Sequence, residues 1–576
     1  MRASSLAVCV SLCSIFLSSF PVPNARAAEQ AAAPGNAACL GCHAAAGISV
    51  PRADKSTRSL SVDGGKFAGS VHGKGLQCID CHAAMAEIPH KDVSATLVAW
   101  RRKIPDLCAG CHAKQRDEYG ASAHGKAVIT GGDAYAAVCS DCHSAHGIAR
   151  PRAEAARLAM VKACAGCHEK ELRSYKITSH GKIATLGYGQ TATCSDCHGG
   201  HAILPASDRA SRTHAANILS TCRKCHNDAT AGFATFQSHA TTDDFARYPQ
   251  MWLAARFMIG LLVFTFGVFW THSVLWLYRE YRDRQERKAR PHVRTEVLPQ
   301  EAGRHYVRWS PAWRAAHLVF TISVIVLVAT AIPLLYPDSA WALWLMNLFG
   351  APAVASTIHK YAAVIMVAVF AGHLVYVAVF LVRNWKTFEW FGPYSLMPTW
   401  QDARDIAAMC KWFVGRAPRP VFDHWNYTQK VDYWAPFWGI AMLVWTGAML
   451  WFKELNAAYL PGWTFNVATI VHGEEALLAA VYLFTIHFFA NHWRPDKFPM
   501  DIVMFTGSMP IEEFKREYTV EYKRLVKAGE LERYLVNEPA RPMTLGSKVL
   551  GFTLVAIGLV LLVMMVIGFA EKLMGG

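Results

Sequence analysis

A five-residue pattern, two cysteines separated by two residues and followed at once by a histidine, occurs seven times before residue 227. The copies are CLGCH (Cys39, Cys42, His43), CIDCH (Cys78, Cys81, His82), CAGCH (Cys108, Cys111, His112) and CSDCH (Cys139, Cys142, His143). They continue as CAGCH (Cys164, Cys167, His168), CSDCH (Cys194, Cys197, His198) and CRKCH (Cys222, Cys225, His226). Fourteen of the seventeen cysteines fall in them. Zinc ribbons and thiol–disulfide sites also use C-x-x-C, but C-x-x-C-H is the attachment signature of c-type haem. The two thiols form thioethers to the porphyrin, and the adjacent histidine ligates the iron from one face. Seven copies, each with histidine in fifth place, argue for seven covalent haems and against zinc or dithiol chemistry.

That count constrains the fold. Residues 29–248 give about 31 residues per haem, below the length at which a chain builds its own core. The expected architecture is short helices and loops wrapped around stacked porphyrins. A repeat is visible in FAGSVHGKGLQCIDCH, YGASAHGKAVITGGDAYAAVCSDCH and YKITSHGKIATLGYGQTATCSDCH, which places His72, His124 and His180 in equivalent positions.

Each haem c needs a second axial ligand or keeps an open site. Eight histidines lie outside the motifs in this region, against two methionines after the leader, Met85 and Met160. The expected distal ligands are His72, His124, His146, His180, His201, His214 and His239, with His90 the weakest candidate. Irons saturated in this way carry electrons and leave no position for substrate.

The flanks set the compartment. Residues 1–27 read as a secretory signal peptide, and 28–248 as the heptahaem domain. After residue 250 the chain turns apolar. Six membrane-spanning helices are expected near 252–277, 314–335, 357–381, 432–452, 468–490 and 548–570. The corresponding segments are a first helix (249–279), a basic cytoplasmic linker (280–311), a membrane domain (312–510), a cytoplasmic segment (511–546) and a last helix (547–576). Arg279 to Arg314 contains ten Lys or Arg residues, whereas YPDSAWALWLMNLFGAPAV contains none. The positive-inside rule makes the first cytoplasmic and the second periplasmic. The haem domain is then periplasmic and the protein sits in a bacterial inner membrane, among its lipids. The formal charge of +15 is largely topological and gives no reason to expect nucleic-acid binding.

Histidines inside a bilayer are costly and mark function. Six lie in or near the spans: His272, His317, His359, His373, His472 and His487. His359 and His373, and His472 and His487, are spaced by roughly 21 and 22 Å along a straight α-helix, within about 60° of one face. Two such helices side by side suit two stacked haems of b type. His359 pairs with His472 on one side, and His487 with either His317 or His373 on the other.

A family resemblance covers roughly residues 305–510. WRAAHLVFTISVIVLVATAIPLLYP resembles the first helix of the cytochrome b subunits of formate dehydrogenases and nickel-iron hydrogenases. NYTQKVDYWAPFWGIAMLVWTGAMLW resembles their third, matching at Gln429, Lys430, Trp434, Thr446 and Gly447. VHGEEALLAAVYLFTIHFFANHW resembles their fourth. The resemblance implies two haem b, one held by His359 and His472 and the other by His317 and His487; His373 and the helix bearing His272 depart from the pattern. The whole arrangement is similar to inner-membrane quinol-oxidising cytochromes of metal-respiring bacteria.

The expected fold is therefore all-α: a haem-packed, loop-rich domain followed by a six-helix bundle containing a four-helix cytochrome b core. The expected activity is quinol:cytochrome oxidoreduction between a menaquinone or ubiquinone pool and a periplasmic cytochrome or reductase. Glu474 and Glu475 are candidate proton acceptors on the periplasmic side, with Lys430, Asp432 and Asn491 on the other. The rivals are a terminal reductase with one open haem and a quinone-reducing anchor for a separate dehydrogenase.

Overall fold

The computed structural model describes residues 36–85, 90, 96–133, 135–288 and 301–574. The expected signal peptide lies outside them. Two compact units result, one comprising the chain up to Ala156 with His201–Ile203, the other Arg157–Gly200 with Leu204–Gly576. Motifs one to four fall in the first unit and motifs five to seven in the second.

Local chemistry explains the haem-motif repeat. Ser70, Ser122 and Thr178 cap short turns by accepting the N–H of Gly73, Gly125 and Gly181 at 3.0, 3.0 and 3.1 Å. A Cβ on those glycines would fall 1.9, 1.9 and 2.1 Å from the carbonyl oxygens of Phe67, Tyr119 and Tyr175. Only glycine lets the turn that carries each repeat histidine fold back so closely. Asp80, Asp141 and Asp196, inside their motifs, accept the N–H of Gln77, Val138 and Thr193 at 2.6, 2.8 and 2.7 Å. These reciprocal caps hold the cysteine-bearing turns. Thr178 takes the capping role in the third repeat, where the other two have serine.

Among the described residues, six helices are long and apolar enough to cross a membrane. They are α1 (Pro249–Lys288), α2 (Pro311–Leu335), α3 (Pro352–Arg383), α4 (Tyr427–Trp451), α5 (Trp463–Tyr482) and α6 (Arg541–Met574). The chain is thus a multi-pass membrane protein with a predominantly helical fold, as its hydropathy predicts. α2 packs on α3, α4 on α5, and α1 on α5. Gly551, Gly558 and Gly568 of α6 abut Met500, Phe484 and Tyr336 so closely that a Cβ would stand 2.5 to 2.9 Å from them, the small-residue contact typical of membrane helices.

α5 does not end as a straight helix. It continues in π-helical turns over Leu483–His487 and Phe489–Trp493. A π turn closes i to i+5 bonds and takes in an extra residue, so the spacing of His472 and His487 is not that of 22 Å of α-helix.

The basic linker and the segment after α5 are not separate pieces. β3 (Arg304–Val307) is the middle strand of an antiparallel sheet between β4 (Ser508–Pro510) and β5 (Leu535–Asn537). (β1, Ser49–Pro51, and β2, Thr57–Ser59, form a small hairpin in the first unit.) The sheet encloses a core in which the rings of Tyr306 and Phe514 stack at 3.7 Å, beside Met509, Ile511, Tyr518 and Leu525. Glu517 is buried nearby, accepting a hydrogen bond from Arg494 at 2.9 Å and ion-paired with Lys497 at 2.9 Å.

Candidate haem sites

Within the first unit, imidazole rings face each other in four pairs. His43 and His90 are 6.0 Å apart between centroids, His72 and His112 6.0 Å, His82 and His146 6.2 Å, and His143 and His201 6.1 Å. The second unit repeats the arrangement with His180 and His226 at 6.2 Å, His198 and His239 at 6.2 Å, and His359 and His472 at 6.4 Å. Other aromatic pairs in the chain spread from 3.7 to 6.5 Å. The histidine pairs keep one narrow spacing, and it has a physical meaning. A metal–imidazole bond is about 2 Å and a ring centre lies about 1.1 Å beyond the nitrogen, so one metal atom held between two rings sets them roughly 6 Å apart.

The hydrogen bonds of the rings sort them. A haem ligand uses one ring nitrogen for iron and gives the other N–H to an acceptor. His43 gives Nδ1 to the Leu60 carbonyl at 2.7 Å, and His239 has Nδ1 2.9 Å from Ser174 Oγ. His201 and His226 turn Nδ1 towards Glu118 and Glu454, each at 3.4 Å. In the membrane bundle the proton can be placed by elimination. Thr330 Oγ1 donates to the Val326 carbonyl at 2.8 Å and lies 2.9 Å from His359 Nδ1. Thr446 Oγ1 donates to the Met442 carbonyl at 2.6 Å and lies 3.0 Å from His472 Nδ1. Each hydroxyl has one proton, so each must accept from Nδ1–H, which leaves both Nε2 lone pairs free for a metal. Gly447 allows the His472 ring in, since a Cβ there would stand 3.2 Å from its Cε1.

His214, expected as a distal ligand, is arranged otherwise. The backbone N–H of Ala216 donates to its Nδ1 at 3.1 Å, which puts the neutral ring's proton on Nε2. Among the described residues His214 makes no ring contact with another histidine. His90, the weakest candidate by sequence, stands opposite His43 instead. His124 lies in the helix Ala123–Ile129 and His168 at the start of Glu169–Ile177.

The far side of the bundle separates the two remaining candidates. His373 uses Nε2 for Tyr433 OH at 3.1 Å and packs against Trp313, Phe370 and Phe437. His317 has His487 and His492 close enough to act on it electrostatically. His492 went unnoticed in the sequence because it falls beyond the apolar run. His487 places Nδ1 3.3 Å from Asp432 Oδ2 and 3.2 Å from Asn491 Nδ2, and Asp432 Oδ1 accepts from Tyr482 OH at 2.9 Å. His272, on α1, is 2.6 Å from Tyr427 OH through Nε2.

Asp432 and Tyr482 line a cavity of about 50 Å³, together with His272, Trp276, Tyr427 and Arg494. Lys430 is committed elsewhere, to Asp402 at 2.8 Å. Glu475 is buried at the Trp438 indole, and Glu474 lies near Lys182 and Lys572. Neither glutamate lines this cavity.

Covalent haem motifs in number, on a chain with six membrane-length helices, define a multihaem c-type cytochrome that transfers electrons. The comparisons agree with that class. The family model "Doubled CXXCH motif" matches residues 71–117 and 128–172. The chain is similar to the "Multiheme cytochrome MtrA" of Shewanella baltica (strain OS185), 27% identical over 161 residues, 26% of this chain. The match spans 42% of that relative's length.

Proposed function

We propose that this protein carries electrons between a quinone pool in a bacterial inner membrane and periplasmic acceptors, through seven haem c and two haem b. The observation that carries the reading is the common ring spacing: the 6.0 to 6.2 Å of the motif histidines recurs, at 6.4 Å, between His359 and His472 of the membrane helices. Haem supplies one-electron carriage when bound; the chain's residues hold it, space it and exclude substrate from the iron.

The distal ligands in this reading are His90, His146, His72, His201, His239 and His180, for motifs one, two, three, four, six and seven. His124 is assigned as a ligand because it occupies in its repeat the place of His72 and His180. His359 and His472 hold one haem b. His317 and His487 hold the other, since His317 lies within electrostatic reach of His487 whereas His373 is packed among Trp313, Phe370, Tyr433 and Phe437. The thiols of successive motifs also lie close: Cys39 with Cys78, Cys108 with Cys139, and Cys164 with Cys194 are within hydrogen-bonding reach. Within each unit, then, motifs one and two, three and four, and five and six stand side by side, as electron passage between them requires.

Quinol oxidation to quinone releases two electrons and two protons. The protons need a base beside a haem b, and Asp432, joined to His487 on one oxygen and to Tyr482 on the other, is the one that faces the cavity. This favours the cytoplasmic side over Glu474 and Glu475. The test is anaerobic addition of a water-soluble quinol to the purified full-length protein, followed at the b and c α-bands. Reduction of both classes, lost in Asp432→Asn with all haems retained, is expected. Equal reduction in that variant would sink the assignment, and unreduced haems in the wild type would sink the quinol reading.

A further inference from the structure

The turn joining α4 to α5 receives the last haem motif of the chain. Thr230 Oγ1 donates to the Ala457 carbonyl at 2.7 Å, and the N–H of Gly462 donates to Thr235 Oγ1 at 2.6 Å. Gln237 and Asn466 exchange two hydrogen bonds, at 3.2 and 3.0 Å. The approach is as close as a backbone permits. A Cβ on Gly232 would fall 2.3 Å from the Ala457 carbonyl oxygen, and one on Gly462 would fall 2.1 Å from the Phe236 nitrogen.

Two adjacent residues of that turn address the two histidines of one pair. Glu454 Oε1 stands 3.4 Å from His226 Nδ1, and Lys453 is close enough to act electrostatically on His180. The Phe233 ring packs against His226 at 4.9 Å, tilted by 43°, with Phe465 of α5 another 6.5 Å on. Phe465 is on the helix that carries His472.

We propose that the seventh haem site is the point at which the c chain meets the membrane sites, and that Glu454 is its positioning residue. This rests on the reading that the histidine pairs hold haem. A carboxylate on the outer nitrogen of an axial histidine fixes the ring and raises its basicity, which favours the oxidised iron and lowers its potential. His43, by contrast, gives its outer nitrogen to a neutral carbonyl. Half-exposure of Glu454, at 39%, screens part of its charge, so the effect runs mainly through the hydrogen bond. A residue of the membrane domain thus sets the potential of the c site seated on it.

The experiment is a spectropotentiometric titration of the c α-band in the purified full-length protein, with haem counted in the same sample. Glu454→Gln is expected to raise the midpoint of one c component and leave the others and the haem count unchanged. Glu454→Asp keeps a carboxylate and is expected to shift the same component less, in the same direction. Thr230→Val loosens the seat without touching the charge and is expected to leave the midpoint in place. A Glu454→Gln curve superimposable on wild type overturns the proposal, as does an equal shift in Thr230→Val. If Glu454→Gln does not assemble, an unshifted Glu454→Asp overturns it. An unchanged haem count in Cys222→Ser/Cys225→Ser would instead defeat the haem reading beneath it.

Discussion

Replacing Thr446 by valine, which keeps the shape and removes the hydroxyl, is the sharpest probe of how the membrane histidines are held. The Thr446 hydroxyl donates to its own helix at 2.6 Å and accepts from His472 Nδ1–H at 3.0 Å. Valine leaves that N–H buried without a partner, at a cost of about 1–3 kcal/mol. If the whole cost falls on the haem-bound state, retention of that haem b weakens roughly 5- to 150-fold, at about 1.4 kcal/mol per decade. Polar contacts between membrane helices average nearer 0.6 kcal/mol, which sets a floor of about threefold. The assay is transfer of non-covalent haem from the detergent-solubilised protein to an excess of a haem-free acceptor, with covalent haem c as the internal standard. Thr330→Val should do the same through His359, and the double variant should lose the haem faster than either. Haem b leaving all three variants at the wild-type rate would refute the claim that these threonines fix the ring nitrogens.

Other outcomes follow from the same geometry. His359→Ala and His317→Ala should each remove one of two extractable b haems, while His373→Ala retains both; pyridine haemochrome assays count them, and a loss in His373→Ala reverses the assignment of the second site. His90→Ala should give one high-spin, carbon monoxide-binding c haem, whereas His214→Ala should leave the spectrum low-spin. Near the sheet, burial alone would raise the pKa of Glu517, but Arg494 and Lys497 outweigh it and hold the carboxyl well below its ordinary value. A depressed folded-state pKa gives stability that is present above the ordinary glutamate value and lost as pH falls below it. Glu517→Gln should therefore lower the Tm at pH 7, as breaking a buried pair costs about 3–5 kcal/mol, and should weaken the drop in Tm between pH 5 and pH 3; a Tm profile parallel to wild type contradicts this.

The covalent sites were legible because their chemistry is local: two thiols and a histidine must sit within five residues, and that pattern survives in any fold. The six helices were legible because the bilayer demands length and apolarity of each one separately. The small sheet was not, because β3, β4 and β5 are three or four residues each and β3 precedes the other two by some 200 residues. Nothing in RHYV or SMP marks a strand until the three are brought together.

The distal histidines show where counting ends and geometry begins. Composition gave eight candidates for seven places, and every histidine resembles every other as a letter. What distinguishes them is which nitrogen is left free, and that depends on contacts far away in sequence: Thr330 for His359, Tyr433 for His373, and Glu454 for His226, which is 228 residues distant. His214 falls out by a local bond that the sequence hides just as well, since a backbone N–H two residues on can donate to any ring that turns towards it. Because a backbone amide can only donate, that single hydrogen bond places the neutral ring's proton on Nε2, the reverse of the tautomer that His359 and His472 hold.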